Sequence, residues 1–268
     1  KDKQMEIFRK MSFADSTGDA IPFYHEGKYH IFSLTSPPGT TVYPERLRTT
    51  WSHSISDDLV HWQELPTALY PGEGDEPDAS GVWTGSVIYG EGQYHAFYTG
   101  YCLTAEFQQT ICHATSDDGI TWTKDIANPV ITPMTELYEK LDWRDPYVFY
   151  NEEDENYWIL ISARRLDMPV TRRGCIVLYR SKNLKDWTYY GPIYSPGHTN
   201  CPECPEMYKM GGHWYLSYSR FSEFVNTIYR VSESPFGPWR KPKKDGIGGR
   251  RFYAAKSMQN DDGRRFYF

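Results

Sequence analysis

Tryptophan recurs in this chain inside a fixed frame. The segments SDDLVHW (56–62), SDDGITW (116–122) and SKNLKDW (181–187) each place Ser six residues ahead of Trp, and SESPFGPW (232–239) is one residue longer. A repeat must be read before any motif, because it dictates the architecture that every other residue occupies. Ahead of each unit stands a second recurring element: GKYHIF (27–32), GQYHAFY (92–98), NYWILI (156–161) and GHWYLSY (212–218). A Gly or Asn turn followed by alternating aromatic and aliphatic residues marks the second strand of a hairpin. The first strands are legible as AIPFYH (20–25), VWTGSVIY (82–89), PYVFY (146–150) and PEMYKM (205–210).

Each repeat is therefore an antiparallel meander of four strands, and units of about 40–50 residues built this way are propeller blades. The slightly longer period suits blades with extended loops. A further unit opens near 249 with RRFYAAKSM (250–258), turns at DDG (261–263) and reaches the C-terminal Phe. The expected fold is all-β, a five-bladed β-propeller with its last blade incomplete, spanning 1–268 as one domain. An open β-sandwich would leave the paired strands before each Trp unexplained.

Composition narrows the function classes. With 39% hydrophobic and 24% charged residues among 268, disorder is excluded, and no apolar run approaches the roughly 18 residues of a membrane helix. A net charge of −6 disfavours a grip on a phosphate backbone, so neither nucleic acid nor membrane is an expected partner. Aromatic residues reach 16%, which suits short strands or sugar stacking. Five cysteines, an odd and unevenly spaced set, argue against a disulfide framework and leave the compartment open. The chain starts at Lys with no basic stretch leading into an apolar one, so any targeting peptide has been removed or never existed, and the expectation leans to the cytoplasm. Oligomeric state is not legible.

In a propeller the first strand of each blade lines the central channel, and the loops at its mouth form a concave pocket. Asp19 heads the first such strand, Asp145 the third and Glu203 the fourth. Each alone reads as a turn residue. Together they would repel one another across the channel mouth unless chemistry required them. Two carboxylates flanking a scissile bond, one protonated and one ionised, are what glycoside hydrolysis needs.

Five motifs in order then resemble glycoside hydrolase family 32, the β-fructofuranosidases: HWQELPTALYP (61–71), VWTGSVIY (82–89), WRDPYVF (143–149), CPECPEMY (201–208) and RRFYAAKSM followed by GRRFYF (250–268). The resemblance implies a five-bladed propeller followed by a C-terminal β-sandwich, and retaining cleavage of a terminal β-furanoside such as sucrose or a fructan. It implies Asp19 as nucleophile, Glu203 as general acid and base, and Asp145 as holder of sugar hydroxyls in the transition state. Where the family carries Asn-Asp-Pro-Asn-Gly around the nucleophile, Asp19 stands between Gly18 and Ala20, and Asp15 competes for the role. Thr84 replaces the first Ser of the family's Ser-Gly-Ser, and Leu34 stands near a Gln that the family offers to the sugar.

Substrate-binding candidates are Trp51, Trp83, Ser86, Trp143 and Arg144, with His53 in the same segment as Trp51. For Trp83, sugar stacking and blade packing compete, and for Trp143, a pocket wall and blade packing do. Trp62, Trp122, Trp187 and Trp239 recur in every complete blade and are scaffold. Cys201 and Cys204 form an isolated CxxC with no second pair, so neither metal nor thiol chemistry nor any cofactor is expected, and Cys204 is read as packing beneath Glu203. NEEDEN (151–156) reads as a solvated turn and KPKKDGIGGRR (241–251) as a charged connection. Two rivals remain: an inverting arabinanase- or xylosidase-like propeller hydrolase, and a propeller lectin that binds sugar without cleaving it.

Overall fold

The computed structural model describes residues 16–222, 224–249 and 251–268. Asp15 lies outside the described residues. Strand follows strand, and among the described residues helix is confined to two short 3-10 turns, Glu45–Leu47 and Val170–Arg172. The first sheet orders β1 (Thr17–His25), β2 (Lys28–Thr35), β3 (Thr50–Ser56) and β4 (Trp62–Leu69). The second orders β5 (Gly81–Gly90), β6 (Gln93–Tyr101), β7 (Gln109–Ser116) and β8 (Thr123–Lys124), and the third β9 (Arg144–Asn151), β10 (Asn156–Arg164), β11 (Gly174–Ser181) and β12 (Thr188–Tyr194). Three strands, β13 (Glu203–Met210), β14 (His213–Arg220) and β15 (Asn226–Ser232), make the fourth sheet, and β16 (Ser257–Gln259) with β17 (Arg265–Tyr267) the fifth. The first four are antiparallel meanders of a β-propeller and the fifth is a single hairpin. Among the described residues no helix is long and apolar enough to cross a membrane.

Local chemistry accounts for the meanders. The β1–β2 and β5–β6 hairpins turn on Glu26-Gly27 and Glu91-Gly92, whose φ angles are all positive (48°, 77°, 52° and 82°). That geometry matches the right-handed twist of the flanking strands and favours Gly at the second position. The Ser/Trp unit is the turn from third to fourth strand. Ser56 Oγ accepts the Leu59 N–H at 2.9 Å, and Asp58 Oδ1 accepts those of Val60 and His61. Ser116 with Asp118, and Ser181 with Asn183, repeat the device.

The Trp that ends each unit packs onto the preceding sheet. Trp122 meets Phe32 edge-on at 5.9 Å and Trp187 meets Phe97 at 5.3 Å. Trp239 joins a cluster with Trp158 and Leu160 of the third sheet, and Trp62 one with Met258, Phe266 and Phe268. Burying a large apolar side chain contributes roughly 1.5–3 kcal/mol, so the repeat cements successive blades. The ring closes where β1 packs on β16, with Tyr24 donating to Asp261 at 2.8 Å and Asn260 to the Tyr29 hydroxyl at 3.0 Å.

One expectation needs correction: among the described residues the fourth sheet has three strands and lacks a fourth. Beyond β15 only two isolated pairings form, Val231 with Arg240 and Ile228 with Gly246. Pro238 and Pro242 flank Arg240, and a residue without an N–H cannot continue a ladder.

Candidate active site

The inner strands begin earlier than the sequence suggested and run through the carboxylates. Each breaks register near its start: β1 between Thr17 and Ala20, β5 between Val82 and Gly85, β9 between Arg144 and Tyr147, and β13 between Glu203 and Glu206. A bulge re-aims side chains that would otherwise alternate across the sheet. Asp145 and Cys204 both adopt left-handed backbone, at φ 58° and 48°. Such a conformation costs about 1–3 kcal/mol and persists only where surroundings over-determine it. Here the Asp145 N–H donates to Thr99 Oγ1 at 2.8 Å, and the Cys204 N–H to Asp145 Oδ2 at 2.9 Å.

These bulges bring Asp19, Asp145 and Glu203 into the wall of one cavity of about 240 Å³, together with Leu34, Trp83, Thr84, Arg144, Cys204 and Tyr253. Asp19 Oδ2 accepts from Thr84 Oγ1 at 2.5 Å and from the Cys204 thiol at 3.6 Å. Arg144 is held among acids. Its Nη2 donates to Glu203 Oε1 at 2.8 Å, its Nη1 to Asp142 Oδ1 at 2.5 Å, and its Nε lies 3.8 Å from Asp145 Oδ2.

Burial pushes the Glu203 carboxyl up to about 7; the charges of Asp145 and Asp19 add to the rise, while Arg144 opposes it. Burial likewise raises Asp145, against the pull of Arg144 and the Cys204 N–H. Burial alone would lower the Arg144 pKa, but Cys201, Asp145, Glu203 and Asp142 hold it well above the ordinary guanidinium value. The Cys204 thiol is held well above its usual range, chiefly by burial, and so acts as a neutral donor. The cavity thus holds a carboxyl poised to give a proton near neutrality and an aspartate fixed by two donors.

Of the candidate binding residues, Trp83 and Arg144 reach this wall. Trp83 stacks on Tyr101 at 4.0 Å and donates through Nε1 to Leu47 O at 3.0 Å. Trp51, Ser86 and Trp143 do not line it. Trp51 sits on the third strand, fully buried, and donates to the Trp83 carbonyl at 2.8 Å, supporting the wall from behind. Ser86, past the bulge of β5, donates to Pro146 O and accepts from the Val148 N–H, stitching β5 to β9. Trp143 is fully buried and packs on Tyr138 and Tyr179. His53 is buried against His30. Cys204, expected beneath Glu203, has its thiol on Asp19 instead.

Tyr253 in the cavity wall and Lys256, which touches Thr84, were not anticipated. Both lie in the fifth unit just ahead of β16, close to the phase at which three of the other four blades carry an acid, so the repeat held part of the signal. Among the described residues no group of three or more His, Cys, Asp or Glu is arranged to hold a metal ion, and all five cysteines are free and buried.

Residues 19–268 match the family model for the glycosyl hydrolases family 32 N-terminal domain. A sucrose-6-phosphate hydrolase from Zymomonas mobilis is 27% identical over 266 residues, covering 90% of this chain and 50% of its own length. Raffinose invertase from Escherichia coli is 30% identical over 267 residues, covering 90% and 52%. The crystal structure of fructan 1-exohydrolase IIa from Cichorium intybus superposes with a TM-score of 0.78 at 24% identity, over 98% of this chain and 52% of that one, a likeness of fold. The chain spans about half the length of the curated relatives it matches.

Proposed function

The chain belongs to glycosyl hydrolases family 32, and on that premise we propose that it hydrolyses a terminal β-furanosidic bond, of sucrose, a fructan or a related furanoside, with retention of configuration. The observation that carries the reading is the pairing, in one small cavity, of Glu203 raised to about 7 with Asp19 held by Thr84 and Cys204. Different environments give two carboxyl groups different tasks.

Glu203, protonated, gives its proton to the leaving glycosidic oxygen as the bond from that oxygen to the anomeric carbon breaks. Asp19 attacks the anomeric carbon and forms a glycosyl ester. Glu203, now a carboxylate, takes a proton from water; that water attacks the anomeric carbon, and Asp19 leaves as carboxylate. Asp145 accepts sugar hydroxyl hydrogen bonds that strengthen as the ring flattens towards an oxocarbenium ion, which places its effect in the transition state. Trp83 offers an aromatic wall and Leu34 an apolar one, where an amide would favour a different set of sugar hydroxyls.

The test is a panel of nitrophenyl furanosides, sucrose and fructans, with the first-formed anomer followed by NMR. Wild type releases the retained anomer, and Asp19→Asn and Glu203→Gln each lower kcat by about a thousandfold or more while the circular dichroism spectrum is unchanged. First-formed product of inverted configuration would transfer the chain to the inverting rival. Sugar binding without turnover would make it a lectin.

A further inference from the structure

The proposed mechanism leaves one buried cation of the channel without a task. Lys256, on the run leading into β16, is 4% exposed. Its Nζ reaches across the channel to β5, 3.1 Å from Thr84 Oγ1 and 3.4 Å from the Gly85 carbonyl. Thr84 Oγ1 in turn donates to Asp19 Oδ2 at 2.5 Å. The protons in this chain of contacts can point only one way. An ammonium has nothing but protons to give and an ionised carboxylate nothing but lone pairs, so the hydroxyl accepts from Lys256 and donates to Asp19. Hydrogen bonds aligned in this manner polarise one another.

A methionine would fill the same space without any desolvation penalty, so a charge retained at this depth needs a partner that uses it. Lys256 is close enough to Asp145, Cys204 and Glu206 for its charge to favour their ionised forms. The groups around Asp19 are Thr84 from β5, Arg144 and Asp145 from β9, Glu203 and Cys204 from β13, and Lys256 from the fifth sheet through Thr84. Arg144 donates directly to Glu203, whereas Lys256 reaches Asp19 only by way of the Thr84 hydroxyl.

We propose that Lys256 is a positioning residue for Asp19, acting through the Thr84 hydroxyl, so that the fifth sheet completes the setting of a nucleophile carried on the first. The inference rests on the assignment of Asp19 as nucleophile. It also gives Thr84, the departure from the family's Ser-Gly-Ser, a defined duty as the relay between the two.

The experiment compares Lys256→Met, Thr84→Val and the double variant in the full chain by two readouts. The first is a carboxyl carbon-13 NMR titration, with the Asp19 resonance assigned by its loss in Asp19→Asn. Its midpoint is higher in Lys256→Met than in wild type, the direction that follows from withdrawing a nearby opposite charge. The second is kinetic: kcat falls about tenfold with KM within about twofold, and the acidic limb of kcat/KM moves to higher pH. The loss on Lys256→Met is smaller in the Thr84→Val background than in wild type, because the relay is already cut.

A lowered melting temperature with midpoint and limb both unmoved, or strictly additive losses, would reduce Lys256 to a packing residue. Should Lys256→Met fail to fold, an unshifted limb in Thr84→Val overturns the proposal by itself. If wild type turns over no furanoside, the hydrolase reading falls, while the NMR titration still decides whether Lys256 acts on Asp19.

Discussion

Arg144→Met separates the two influences that set the proton affinity of Glu203. Burial raises that carboxyl to about 7, and the Arg144 guanidinium, 2.8 Å from Oε1, opposes the rise. A hydrogen bond to a charged group is worth about 1.5–3 kcal/mol, and one pKa unit corresponds to about 1.4 kcal/mol, so removing it raises Glu203 by a further one to two units or so. Glu203 must be protonated to assist the leaving group, and activity is lost as pH rises through its pKa. The basic limb of kcat/KM therefore moves from about 7 in wild type to roughly 8–9 in the variant. Asp142 and Asp145 lose the same cation, and breaking a buried pair costs about 3–5 kcal/mol. Rates are accordingly measured well below the melting midpoint, against a hydrolysed furanoside, with the fold checked by circular dichroism. A basic limb that stays in place, or moves to lower pH, would refute the account of Glu203 as a buried acid restrained by one arginine.

Glu206, fully buried between the fourth and fifth sheets, accepts from the Ser257 N–H and hydroxyl and from Arg265, and burial lifts it from 4.5 to about 7. The folded chain holds this proton more tightly than the unfolded one, so its stabilisation is complete below about 4.5 and gone above about 7, a difference on the order of 3 kcal/mol. Glu206→Gln, neutral throughout, should flatten the decline in urea stability between about pH 4.5 and 7 by about that amount; parallel curves would contradict it. The buried pair His30 and His53, 3.0 Å apart, has the opposite sign. Burial lowers them to about 4 and about 3, so their neutral forms stabilise the fold above about 6.5 and that contribution is lost as pH falls towards 4. Replacing both with Gln should lessen acid destabilisation over this window, read by urea titration at each pH, and an unchanged acid slope would show that the pair does not drive it.

The meanders, their number and the phase of the three acids were legible in the amino-acid sequence because their causes are local. Ser56, Asp58 and the backbone they bind lie within one turn, as do Glu26 and Gly27. The Trp of each unit recurs because each blade needs the same seal against its neighbour. Which side chains face the cavity was decided elsewhere. The bulges of β5 and β9 help to bring Trp83 and Arg144 to the wall, with Ser86 turned towards β9, while Trp51 on the third strand and Trp143 ahead of β9 are buried in the scaffold.

The proton affinity of Glu203 follows from burial and from Arg144, 59 positions away, and the thiol on Asp19 comes from a residue 185 positions distant. Lys256 meets Thr84 across 172 positions, and only because β16 closes the ring on β1. Desolvation and Coulomb interaction act through space, so the identities of the acids could be read along the chain, whereas their tasks were set only by the closed ring.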